Sequence, residues 1–136
     1  MRLTAYATLG MEVMVELARG DGPIATRELA RRLEVKYGYV QQAMLRLNNA
    51  SLVIPTRGPK GGYELARPAE RITLLQVIEA ADKRPILEPS QREAHSRSTV
   101  RDQVRAYVRE CLGNKTIQDL CRAGKSGRRR RARAKK

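Results

Sequence analysis

Leu3, Tyr6, Leu9, Val13, Met14 and Leu17 recur at three- and four-residue steps, which predicts an amphipathic helix from about residue 3 to 19. Gly20-Asp-Gly-Pro23 ends it, because neither glycine nor proline sustains a helix interior. Leu29 is the next apolar position in register. It predicts a short second helix with Thr26 as its N-cap and Arg31 and Arg32 facing outward. After a turn at Glu34-Val-Lys36, Val40, Ala43, Met44 and Leu47 fit the i, i+3, i+4, i+7 template, giving a third helix from about Tyr37 to Asn49. A short helix, a tight turn and a helix with a one-sided apolar stripe is a helix-turn-helix unit.

The pattern then changes period. Residues 52–67 read as a β-hairpin whose return strand, about 61–66, alternates. Pro55 cannot donate to a ladder, so its strand should be irregular or at an edge. The hairpin tip sets Arg57 and Lys60 among Gly58, Pro59, Gly61 and Gly62, and glycine lets a backbone approach another surface closely. A cationic hairpin directly after a helix-turn-helix is the arrangement of a winged helix that binds DNA.

Thr73 is the expected cap of a fourth helix that buries Leu74, Val77, Ile78 and Ala81, and Pro85 and Pro89 bracket a connector. A longer helix from about Ser98 to Leu112 carries Val100, Val104, Tyr107 and Cys111 at coiled-coil spacing, widened by Val108 and Leu112. Such a stripe either folds back on its own domain or builds a homodimer, and the small core favours the dimer. Gly113-Asn114 ends this helix, and Thr116-Ile-Gln-Asp119 resembles the capping signature of one last short helix. Arg97, Arg101, Arg105 and Arg109 form a basic row along the long helix, read either as a solvated face or as a surface pairing with acids of a second subunit or an acidic protein partner.

The fold class expected is therefore mainly α with a small β-hairpin wing. Residues 1–83 form a winged helix-turn-helix domain and 84–97 a connector. Residues 98–121 supply the dimerisation helix and the terminal helix, and 122–136 a disordered basic tail.

Charge sharpens the choice of partner. The net charge is +14, which favours polyanions. Nine of the 28 basic residues and no acid lie in 122–136, so residues 1–121 hold 19 basic against 14 acidic residues. The tail, ending in Arg128-Arg-Arg-Arg-Ala-Arg-Ala-Lys-Lys136, raises non-specific affinity through counterion release without reading bases. No apolar run approaches the roughly 20 residues that cross a bilayer, and the first residues lack a secretory pattern. With no Phe or Trp there is no stacking platform for single strands. A cytoplasmic, nucleoid-associated protein that binds double-stranded DNA and no membrane is the expectation. No phosphate-binding glycine loop and no metal-spaced histidine pair occur, so an enzyme is not expected.

The expected contacts come from the start of the third helix, since the N-terminal part of a recognition helix meets base edges in the major groove. Lys36, Tyr37, Tyr39, Gln41 and Gln42 lie off its buried stripe, and Gln pairs bidentately with adenine. Arg46, one turn on, is expected at a phosphate, as are Thr26 and Arg27 at the start of the second helix. Arg57 is expected in a minor groove. The alternatives are a non-specific architectural nucleic-acid binder driven by the tail and a winged-helix protein-interaction module.

Met1-Arg-Leu-Thr4, Tyr39-Val-Gln-Gln42, Leu52-Val53, Arg57-Gly-Pro-Lys-Gly-Gly-Tyr63, Leu65-Ala66 and Ile72-Thr-Leu74 in series resemble the Rrf2 family of bacterial regulators. The similarity runs from Met1 to about Ala81, with a weaker echo in the long helix and Thr116-Ile-Gln-Asp-Leu120. It implies a homodimeric winged-helix transcription factor, usually a repressor, built on the long helix. It also implies recognition contacts near Gly38, Tyr39, Gln41 and Gln42, and wing contacts at Arg57 and Gly58. Sensing members of the family hold a two-iron two-sulfur cluster on three closely spaced cysteines before the dimer helix. Here residues 83–100 contain no cysteine. His95, Cys111 and Cys121 are scattered against the roughly four ligands a cluster takes, so no cluster is expected. Ser51 stands where the family has a glycine after the recognition helix, and Asn48 or Asn49 is the expected substitute for the left-handed cap.

Overall fold

Thr4 is extended, and its hydroxyl oxygen accepts from the Ala7 N–H at 3.0 Å, which starts helix α1 (Ala5–Arg19) about two residues later than periodicity alone indicates. Gly20 closes it with its N–H on the Glu16 and Leu17 carbonyls. The computed structural model describes residues 4–82 and 99–123. Leu3, the 84–97 connector, His95, Arg97 and the polycationic 124–136 segment lie outside them.

Helices α2 (Thr26–Leu33) and α3 (Tyr37–Asn49) follow, then strands β1 (Val53–Thr56) and β2 (Gly62–Leu65). A 3-10 turn (Ala69–Arg71) leads to α4 (Leu74–Asp82), α5 (Thr99–Asn114) and a last helix, α6, over 117–123. The α3 bounds and its buried face of Val40, Ala43, Met44 and Leu47 are those the spacing predicts. Thr26, however, is the first helical residue of α2 and not its cap; Ala25 holds the cap position, without a side-chain hydrogen bond. Ser51 itself takes the left-handed conformation (φ 60°). Its N–H donates to the Asn48 carbonyl and the Leu52 N–H to Leu47, both at 3.0 Å. Two terminal hydrogen bonds that close α3 offset the penalty of a left-handed serine, so neither asparagine is needed.

The wing is an antiparallel pair with Val53 opposite Leu65, Ile54 opposite Glu64, Pro55 opposite Tyr63 and Thr56 opposite Gly62. Tyr63 uses both its backbone groups on Ile24, at 2.9 Å each. Tyr63 therefore faces Ile24, and Pro55 occupies a position of β1 that owes β2 no donor. This explains how a proline sits in a regular edge strand. The same bridge ties the wing to the segment that enters α2. A Cβ on Gly62 would lie 2.3 Å from the Ile24 carbonyl, so that glycine is a requirement of this crossing. Gly58, at φ 112°, makes the turn at the tip.

Thr73 and Gln76 cap α4 reciprocally, the Thr73 N–H on Gln76 Oε1 at 3.0 Å and the Gln76 N–H on Thr73 Oγ1 at 3.2 Å. Leu74, Val77, Ile78 and Ala81 are its buried face. The C-terminal segment then returns to the first domain. Thr116 bridges to Thr73, the Leu74 N–H donates to Lys115 O at 2.9 Å, and the Ile117 N–H donates to Ile72 O at 3.0 Å. Ile117 is fully buried and Cys121 nearly so, in one core with Met14, Leu29, Met44, Leu47 and Ile72. Arg19 Nη2 donates to the Cys121 carbonyl at 3.1 Å. Among the described residues this core holds no buried polar or charged residue.

Candidate nucleic-acid interface

With the α3 stripe turned inward, Gly38, Gln41, Gln42 and Asn49 face solvent on its opposite side. Tyr37 and Tyr39 flank this row, at 38% and 51% exposure. The Arg27 guanidinium lies 4.6 Å from the centre of the Tyr37 ring, so the starts of α2 and α3 are held together by a cation–π contact. Lys36, at the α3 cap position, is exposed. Arg57, Gly58 and Lys60 are exposed at the wing tip, on the hairpin fixed beside α2 through Ile24.

The helix starts differ in a way that bears on anions. Threonines cap α1, α4 and α6, the last through Thr116 and Asp119. Neither α2 nor α3 has a side-chain cap. Their first backbone N–H groups are left for an outside acceptor, and helix starts attract phosphate.

Arg46, expected at a phosphate, has partners within the fold. Its Nη1 donates to the Ala81 carbonyl at 2.6 Å, and its guanidinium carbon lies 3.9 Å from the centre of the Tyr6 ring. Tyr6 in turn packs on Tyr39, ring centres 5.8 Å apart. Position 46 falls on the α1 flank of α3, where the last carbonyls of α4 offer a cation a better-defined partner than solvent does. Thr4 donates to Asp82 at the same corner. Sequence periodicity missed Tyr6 in this role, because the ring it supplies to Arg46 comes from an element 40 positions away. It also missed Leu45, an apolar residue off the α3 stripe that is 48% exposed in the outward row.

On α5 the expected stripe splits. Val100, Val104 and Tyr107 are 68%, 54% and 69% exposed and Cys111 is exposed, while Val108 is half-buried and Leu112 packs on the core. Arg105 lies 3.7 Å from Asp102. Cys111 and Cys121 thus differ in setting, one on the open face and one in the core. Among the described residues no three His, Cys, Asp or Glu side chains come together as metal ligands. No helix among the described residues is long and apolar enough to cross a membrane.

The Rrf2 family profile, described as an iron-dependent transcriptional regulator, matches residues 3–123. The chain belongs to the Rrf2 family. Among Rrf2 relatives, the transcriptional regulator IscR of Cereibacter sphaeroides is 34% identical over 87 residues, an alignment spanning 61% of this chain and 56% of that protein. The chain thus spans little more than half the length of that relative. The transcriptional regulator CymR of Bacillus subtilis is 31% identical over 130 residues, 88% of this chain and 89% of CymR. The solved structure of CymR, described as the global cysteine regulator of B. subtilis, superposes with a TM-score of 0.80 at 28% identity, covering 90% of this chain and 98% of CymR. These Rrf2 relatives are transcription regulators and not enzymes, and the winged-helix architecture is shared with them.

Proposed function

We propose that this chain is a homodimeric, cluster-free repressor in the cytoplasm that reads a palindromic operator, with α3 in the major groove and the wing in the minor groove. Three features support the reading. These are the outward row of α3, the uncapped starts of α2 and α3 joined by Arg27 and Tyr37, and a cationic wing tied to the same corner through Ile24. Membership in a family of transcription regulators supports DNA as the target. Backbone N–H groups, Thr26, Arg27 and Lys36 would hold phosphates, Gln41 and Gln42 would meet base edges, and Arg57 would enter a narrow minor groove. A second copy supplies the cover for the open α5 stripe of Val100, Val104, Tyr107 and Cys111, and two-fold symmetry then requires a two-fold operator.

Selection of duplexes from a random pool by the full chain, at moderate and at raised salt, tests this. The expected result is a palindrome with half-sites about one helical turn apart. Enrichment should survive the higher salt, which weakens tail-driven binding first. Arg57→Ala should weaken binding to that duplex, and Gln42→Ala should change the preferred bases. Recovery of duplexes with no common sequence overturns the reading in favour of an architectural binder.

A further inference from the structure

Leu45 lies three positions after Gln42 and four after Gln41, so on a helix it stands directly above both in the outward row. The α3 core stripe is complete without it, since Val40, Ala43, Met44 and Leu47 are all at 1% exposure or less. Two turns below Leu45, Gly38 has nothing within 4 Å of where a Cβ would stand, so the fold does not require a glycine there. Glycine in a helix nevertheless costs about 1 kcal/mol relative to alanine. A row of one bare position, two glutamines and one leucine is shaped for a surface that comes close at the helix start and presents a small apolar group further along.

Resting on the DNA-binding reading above, we propose that Leu45 is a specificity-determining residue that packs on the C5-methyl group of a thymine. Of the groups displayed by the four base pairs in the major groove, only the thymine methyl is apolar. Gln41 and Gln42 pair best with adenine, and Leu45, displaced by one turn toward the C-terminus of α3, reads an adjacent thymine in the same half-site. A lone exposed leucine is ordinary on a protein surface. This one is set apart by its place among the side chains that face the bases.

The test uses the duplex recovered by selection with the full chain, with thymine replaced by deoxyuridine at one position of each half-site in turn. Removing the methyl at the contacted position should weaken wild-type binding about three- to fivefold, as expected for one buried methyl group. Leu45→Ala should bind the thymine duplex more weakly by a similar factor and show no further loss on deoxyuridine. Leu45→Met, which keeps an apolar tip, should retain the sensitivity. Wild-type protein indifferent to deoxyuridine at every position overturns the proposal, as does an equal loss in wild type and Leu45→Ala. A recovered operator with either of those results leaves the DNA-binding reading standing, whereas failure to recover any preferred sequence sinks both.

Discussion

Helix α3 holds Val40, Ala43, Met44 and Leu47 at 1% exposure or less, whereas on α5 Val100, Val104 and Tyr107 remain 68%, 54% and 69% exposed. Both helices carry apolar residues at three- and four-residue steps. Their difference lies in what surrounds them. Short connections set α3 among α1, α2, β1 and α4, so its stripe meets partners supplied by its own chain. Helix α5 docks through its last turns, where Leu112 packs on the core, while Val100, Val104 and Tyr107 stay open. Periodicity states that a face requires cover, and it does not state which molecule supplies it. On α3 the residues left outside are therefore surplus to folding and available for recognition. On α5 the exposed residues are the stripe itself.

The comparison breaks most forcefully at the buried stripe. Leu47→Ala should destabilise the domain by about 2–5 kcal/mol, the range for truncating a fully buried leucine, read as a lowered melting temperature. A loss below about 1 kcal/mol would mean that α3 is no better covered than α5. The matching change on α5 is Val104→Asp together with Tyr107→Asp. It should leave the melting of the isolated subunit nearly unaltered and weaken self-association by about thirtyfold or more, equivalent to about 2 kcal/mol for a central interface residue. Sedimentation across a concentration series checks it, and a pair of aspartates without effect on association would show that this stripe is not the dimer seam.

How much of this was legible in the sequence follows the same division. The α3 bounds, the α4 face, the two-stranded wing and the edge position of Pro55 depend on spacing and on neighbours within a few residues, and they could be read. The docking of α6 could not be read in full. Its cap at Thr116 and Asp119 is local, but Ile117 is buried because its N–H reaches Ile72, 45 positions earlier. The terminal helix therefore belongs to the same core as α1, which no periodicity reports. Thr26 was misread because an alanine outside the helix took the cap position, and Ser51 because backbone hydrogen bonds outweighed a residue preference. For the interface, residue type and helical face indicated the row of Gly38, Gln41 and Gln42. Arg46 lies at the border of that row, and its direction is decided by a ring on α1 and a carbonyl on α4.

Arg46 provides a smaller test of how α3 is held. Arg46→Ala removes a charged hydrogen bond to Ala81 O and a cation–π contact with Tyr6, together worth about 2 kcal/mol for a half-buried group. Arg46→Lys keeps the charge but loses the planar stacking, and should recover only part of that stability. Changing salt separates this role from a phosphate contact. Loss of a phosphate contact would reduce the salt slope of DNA binding by about one counterion, and the expectation here is a melting loss with the slope unchanged.

The smallest effect concerns Glu28 of α2, which pairs with two arginines of its own helix. Glu28 accepts from Arg31 Nε at 2.9 Å and Nη2 at 2.6 Å and from Arg32 Nε at 2.9 Å. These hydrogen bonds, Arg31's first and Arg32's second, bring its carboxyl down from an ordinary 4.5 to about 2. Between those two values the folded protein binds fewer protons than the unfolded chain. The contribution of Glu28 to stability is therefore fully present above pH 4.5 and is lost as the pH falls toward 2. Because the group is exposed, solvent and salt keep the effect on melting small, and the carboxyl carbon resonance of Glu28 is the better reporter. Its midpoint should lie near 2, and Arg31→Ala should move it upward toward 4.5. A wild-type midpoint already near 4.5 would mean that Arg31 and Arg32 are not committed to Glu28. Arg31 would then be free to join Arg27 on the phosphates, whereas Arg32 would still have Glu16 of α1 at 3.6 Å.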